Sequence, residues 1–196
     1  MSGSMPAEIP EAELVARVQA GDGYAYNLLV QQHREAVFRL AYLISNNSDD
    51  AEDITQETFI RALKCFHYFD PTRPLRPWLL QITRNLARNQ NRSWERYKHM
   101  LKRLFEGHQR LRSDVEAITH AQEQARSLHE AIRQLPGDYQ DVIYTRYFLE
   151  LSVDESAAVL GIAEGTVKSR SHRALKQLRA LIEARYPYLK QEGDHG

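Results

Sequence analysis

Apolar residues recur at alternating three- and four-residue steps along most of the chain, and no segment alternates convincingly with period two. That pattern predicts an all-α protein. Residues 11–19 read as a short helix ending at Gly21-Asp22-Gly23. Residues 24–45 read as a longer helix, with Leu28, Leu29, Val37, Leu40, Ala41 and Ile44 on its apolar side. Asn46-Asn47-Ser48 predicts a turn. Residues 49–66 form the next predicted helix, taking its core contacts from Ile54, Phe59, Ala62 and Leu63. Asp70-Pro71-Thr72-Arg73-Pro74 breaks it, and Pro77 suits the first turn of a further helix from Trp78 to about Tyr97.

A polar, basic stretch follows over residues 97–112, with Lys98, Lys102, Arg103, Arg110 and Arg112 and an interruption at Gly107. It reads as a linker, partly helical at most. Ser113-x-x-Glu116 has the form of a capping box. It would open a helix with Ile118, Ala121, Ala125, Leu128, Ile132 and Leu135 on one side, ended by Pro136-Gly137. Residues 138–149 predict another helix. The expected organisation is two small all-α domains, residues 11–96 and 113–186, joined by the basic linker 97–112.

The most informative stretch is 152–182. Ser152-x-x-Glu155 is a second capping box, Ala157 is small where two helices must approach, and Gly161 falls where the chain needs a left-handed conformation to turn. Beyond the turn, Val167, Ser171, Ala174, Leu178 and Leu181 share one helix face. The opposite face carries Thr166, Ser169, His172, Arg173 and Lys176, with Lys168, Arg170 and Arg179 at its flanks or beyond. A helix, a tight turn and a basic second helix form the pattern of a helix-turn-helix that enters the DNA major groove. Short hydroxyls near the start of that helix can reach base edges, and the long cations can reach phosphates or guanine acceptors.

Charge sharpens this picture. Lys and Arg number 26 and Asp and Glu 26, a formal net charge of zero, so DNA affinity has to come from local segregation of charge. Cys65 is the only cysteine, which excludes a disulfide framework within the chain and fits a reducing compartment. No apolar run approaches the roughly 18 residues of a membrane span, and the start of the chain lacks a signal-peptide pattern. A cytoplasmic protein is expected. The histidines form no metal-type pair such as H-E-x-x-H. No metal, cofactor or catalytic group is expected.

The first predicted domain holds two stripes of opposite sign. Asp49, Asp53, Glu57 and Arg61 are four residues apart, with Glu52 and Gln56 beside them. A capping box at Asp49-x-x-Glu52 would account for the first turn; a basic protein partner would account for the whole stripe. The second stripe is Arg84, Arg88, Arg92 and Arg96, flanked by Asn85 and Asn89. Arginine tracks phosphate and asparagine can pair with base edges. The aromatic loop Phe66-His67-Tyr68-Phe69 precedes them, and cations beside exposed rings suit a single strand. For Phe66, Phe69 and Trp78 core packing is the better reading.

Asp50-Ala-Glu-Asp53-Ile-Thr-Gln56-Glu57-Thr-Phe59, with Pro77-Trp78-Leu79 and Ile82-x-x-Asn85 after it, resembles region two of the bacterial RNA polymerase sigma factors. Gly165-Thr-Val-Lys168-Ser-Arg170 resembles their region four. With only these two regions and a short linker, the chain is similar to the extracytoplasmic-function, group IV, sigma factors over nearly its whole length.

The resemblance implies three surfaces. Asp50, Asp53, Gln56, Glu57 and Arg61 would dock on the beta-prime clamp of core RNA polymerase. His67, Tyr68, Arg73, Arg76, Arg84, Asn85, Arg88, Asn89 and Arg92 would hold the non-template single strand of the -10 element. Thr166, Lys168, Ser169, Arg170, His172, Arg173 and Lys176 would read the -35 duplex beside the beta flap. An anti-sigma factor is an implied partner. Leu75 stands where such proteins often carry an aromatic residue. The competing readings are a polymerase-independent helix-turn-helix regulator, a sigma mimic that titrates an anti-sigma protein, and an enzyme. No receiver-like βα pattern favours the mimic, and no assembled nucleophile or metal set favours the enzyme.

Overall fold

The computed structural model describes residues 9–104 and 120–190, with side chains over 9–91 and 123–186 and at Tyr188 and Leu189. Among the described residues every regular element is helical: α1 (Glu11–Gln19), α2 (Gly23–Ser45), α3 (Ser48–Cys65), α4 (Leu75–Leu104), α5 (His120–Arg133), α6 (Gly137–Ile143), α7 (Val153–Leu160) and α8 (Glu164–Arg185). The chain divides into two compact units, Met1–Asn91 and Arg92–Gly196.

In the first unit α2 and α3 form an antiparallel hairpin. Asn46 ends α2 in the left-handed region at φ 56°, its N–H donating to the Tyr42 carbonyl. Asn47 then caps α3, its side-chain oxygen accepting from Asp50 N at 2.9 Å. The cap is therefore Asn47, in place of the Asp49-Glu52 box that the spacing allowed. Asparagine at both positions suits the turn, because its short amide tolerates the left-handed conformation and can also cap. Leu14, Val15, Ala25, Leu29, Val37, Phe59, Ala62, Phe66, Phe69, Leu75 and Leu79 close one core around this hairpin. Leu63 is not part of it: at 51% exposure it lies on the outer side of α3.

Helix α4 is longer than the pattern predicts. It begins at Leu75, with Pro77 in its first turn, and continues through residues 97–104 into the stretch expected as linker. The capping box at Ser113 and Glu116 lies outside the described residues, as do Arg110, Arg112 and Ile118.

In the second unit the helix expected over 138–149 divides. α6 stops at Ile143 and a π turn spans Tyr144–Phe148. Leu149 N donates to Tyr144 O at 3.0 Å, the wider spacing of such a turn. Glu150 then takes φ 55° and leads into α7. The Ser152–Glu155 capping box forms in both directions: Ser152 Oγ accepts from Glu155 N at 3.2 Å, and Ser152 N donates to Glu155 Oε2 at 2.8 Å. Gly161 adopts φ 66°, ends α7, and lets α8 turn away and pack on α6 and α7.

Candidate nucleic-acid interface

The loop between α3 and α4 sorts its aromatics by direction. Phe66 and Phe69 are buried against Trp78, with ring centroids 5.8 and 4.8 Å from the indole. That fixes the intervening 3-10 turn, so His67 and Tyr68 project outward with centroids 3.7 Å apart. Tyr68 is 82% exposed. The tip beyond is a tied turn. Asp70 Oδ1 accepts from Thr72 N at 3.0 Å and from Thr72 Oγ1 at 2.7 Å, and these bonds lower the Asp70 pKa. Arg73 lies alongside, its Nε 3.7 Å from Asp70 Oδ2.

Helix α1 braces both ends of this loop. Gln19 Nε2 donates to the Phe69 carbonyl at 2.9 Å and to that of Phe66 at 3.4 Å. At the far end Glu11 Oε1 accepts from Leu75 N, 3.3 Å away, at the start of α4. Sequence reasoning missed this bracing role of Gln19 and Glu11. The partners are 47 to 64 residues distant in sequence, and no periodicity encodes a side chain reaching a loop carbonyl.

Along α4, Leu75, Leu79, Leu80, Thr83 and Ala87 face inward, and Asn85 and Asn89 are exposed. Arg84 and Arg88 are half-buried and engaged within the protein, as is Arg76. The physical reason is helical pitch. A row at intervals of four advances about 40° per step, so the stripe does not keep to one face, and Arg84 and Arg88 stand at the edge of the core. The side chain of Arg92 lies outside the described residues. The exposed chemistry here is thus two stackable rings, one arginine and two amides.

On α3, Asp49, Asp53 and Gln56 stand exposed, while three other predicted docking residues have partners in their own unit. Glu57 Oε1 accepts from Arg61 Nε at 2.6 Å, and Asp50 Oδ1 accepts from Gln90 Nε2 at 3.2 Å. Arg34 of α2 pairs with Glu52. Ile60 and Leu63, 48% and 51% exposed, continue this surface toward the loop. Sequence does not foresee their exposure, because an isolated apolar residue carries no sign of which way it faces.

In the helix-turn-helix, Val167, Ala174 and Leu178 are buried, and Ser171 and Leu181 are partly so. Lys168, His172, Arg173, Lys176 and Arg179 are exposed, and Thr166 and Ser169 lie half-buried near the start of α8. Ser169 Oγ donates to the Thr166 carbonyl at 3.2 Å. Arg170 differs from the other cations, with its Nε 3.5 Å from Asp138 Oδ2 on α6. Among the described residues no cluster of three histidine, cysteine or acidic side chains could hold a metal ion. No helix among them is long and apolar enough to cross a membrane.

Both surfaces fall inside matched families. Sigma-70 region 2 matches residues 29–98 and Sigma-70, region 4 matches residues 125–178. The ECF RNA polymerase sigma factor SigW of Bacillus subtilis is 30% identical, over 84% of this chain and 92% of its own. This chain belongs to the ECF RNA polymerase sigma factor family. SigE of Mycolicibacterium smegmatis, another ECF sigma factor, is 36% identical over 79% of this chain, which spans 60% of SigE's length. A solved structure of the sigma factor RpoE with the anti-sigma factor NepR from Bartonella quintana matches at TM-score 0.63 and 25% identity, covering 82% of this chain and 98% of that one. The two matched regions take in the α2–α4 unit and the helix-turn-helix in turn.

Proposed function

We propose that this chain is an alternative sigma factor, which binds core RNA polymerase and directs it to promoters carrying particular -35 and -10 elements. The observation that carries this reading is the pairing of two differently equipped polar surfaces in one chain. α8 offers hydroxyls and exposed cations suited to a duplex groove. The α3–α4 loop offers outward rings and an arginine suited to an unpaired strand.

In this reading Lys168, His172, Arg173 and Lys176, with Thr166 and Ser169, read the -35 duplex. His67, Tyr68 and Arg73, with Asn85 and Asn89, hold the -10 non-template strand, and Arg76, Arg84, Arg88 and Arg92 support its backbone. Asp53 and Gln56, with Asp50, Glu57 and Arg61, meet the beta-prime clamp of core polymerase, and the second unit meets the beta flap. An anti-sigma factor is the expected regulator, by analogy with the NepR complex. The protein acts in the cytoplasm and has no catalytic residue of its own.

The mechanism is binding energy. Extruding a base costs a few kcal/mol, least when it is already unpaired. Stacking on an aromatic side chain returns about 1–3 kcal/mol per base. Two exposed rings cannot open a duplex unaided, so core polymerase has to supply the remaining contacts. The test is transcription by reconstituted core enzyme from a randomised promoter library, with start sites sequenced. Transcripts sharing one -35 and one -10 sequence are expected, and Asp53→Arg should lower core affinity several-fold with unchanged helical circular dichroism. The absence of any promoter-dependent transcript from the wild-type complex would overturn the proposal.

A further inference from the structure

Sequence groups Arg170 with the DNA-facing cations of α8, but its surroundings are different. Val167, Ala174 and Leu178 mark the buried line of the helix. At roughly 100° per residue, Arg170 falls on the flank of that line, toward α6, while Ser169, His172, Arg173 and Lys176 fall on the far side. Its side chain is 31% exposed and meets Asp138 at 3.5 Å.

Asp138 is partly exposed, but the backbone that carries it is tied down. It stands in the first turn of α6, where the helix dipole favours an acid. The turn below it is tied by Gln140, whose Nε2 donates to the Leu135 carbonyl at 2.8 Å and the Arg133 carbonyl at 3.1 Å. Backbone bonds from Tyr139 N and Gln140 N to Pro136 O, at 2.9 and 3.0 Å, complete it. α8 in turn packs on α6.

Charge decides between the two roles open to Arg170. Nε of Arg170 faces Asp138, and although the terminal nitrogens of a guanidinium can reach further, the carboxylate beside them offsets the charge that a phosphate would feel. While paired, its charge is largely cancelled at the distance of the DNA, and it adds little to phosphate attraction. We infer that Arg170 is a positioning residue: its ion pair with Asp138 sets the angle at which α6 presents the recognition helix, and so the base preference of that helix, without touching phosphate itself. This inference rests on the reading of α8 as the -35 reader.

The experiment compares wild type, Arg170→Gln, Asp138→Asn, the double variant and Arg173→Gln. Each is the full chain assembled with core polymerase and measured well below its melting midpoint. Promoter affinity is followed against salt, and -35 base preference is read from a promoter library. Arg170→Gln and Asp138→Asn should each weaken promoter binding by roughly threefold to fivefold, the scale of a partly exposed ion pair. Both should shift base preference in the same way, and the double variant should be no worse than either. Their salt slopes should match wild type, whereas Arg173→Gln should lower the slope by about one. A role limited to stability would lower the melting midpoint and leave base preference unmoved, which would overturn the inference. So would tighter promoter binding by Asp138→Asn together with a lowered salt slope in Arg170→Gln, the signature of a direct phosphate contact. If the wild-type complex shows no -35 preference, the assignment of α8 fails first and takes this inference with it.

Discussion

His33 sits on the inner side of α2, its Nε2 buried without a hydrogen-bond partner among the described residues and 3.7 Å from Glu11 Oε2. Burial lowers its pKa, the Glu11 carboxylate opposes that shift, and the Arg76 charge adds to it. The neutral ring is therefore the folded form. The unfolded chain takes up a proton near the ordinary histidine pKa of about 6.5, and the folded chain resists it. The stability His33 contributes is present above that pH and is lost as pH falls through the lowered value. The melting midpoint should fall between about pH 7.5 and about pH 5.5, more steeply in wild type than in His33→Gln. Equal slopes in the two proteins would show that His33 does not carry the effect.

Single residues also mark where sequence reading succeeds. Ser152, Glu155 and Gly161 are legible because a cap or a left-handed turn is decided within a few neighbours. Leu63 and Arg170 are not, because an apolar stem or a cation gives its type but not its neighbour across the fold. Sequence marks Asn47 as turn and Asp49 as a possible cap; the choice between them is a small shift in register that only the folded hairpin decides.

At the scale of elements, the least legible feature is the service α1 gives to the loop after α3. Its sequence reads as an ordinary amphipathic helix, with Leu14, Val15 and Val18 buried. Its polar ends do the positioning, Gln19 on the Phe69 carbonyl and Glu11 on the Leu75 amide. A neutral hydrogen bond of this kind is worth about 0.5–1.5 kcal/mol net. Gln19→Ala should therefore cost about 1 kcal/mol of stability and blunt discrimination at the -10 element, leaving core affinity as in wild type. Unchanged -10 discrimination, measured by transcription from promoters altered in that element, would remove α1 from the account. The arginine stripe of α4 teaches a related lesson. Spacing by four places side chains near one another but not on one fixed face, so Arg84 and Arg88 belong partly to the core edge.

At the scale of the whole molecule, 26 basic and 26 acidic residues cancel, yet the surfaces are sorted. Acids stand out on α3, cations on α8, and rings on the loop between α3 and α4. The all-α class is readable from periodicity and the sorting of charge from the sequence, and the relatives place the chain in one family. The central claim is that neither surface selects a promoter alone and that core polymerase makes them act together. The direct measurement is binding of one fluorescent promoter and a scrambled control, by this chain alone and by its complex with core enzyme, at the same salt. The account predicts little discrimination by the isolated chain and strong, salt-dependent discrimination by the complex. An isolated chain that separates promoter from control as well as the complex does would contradict it.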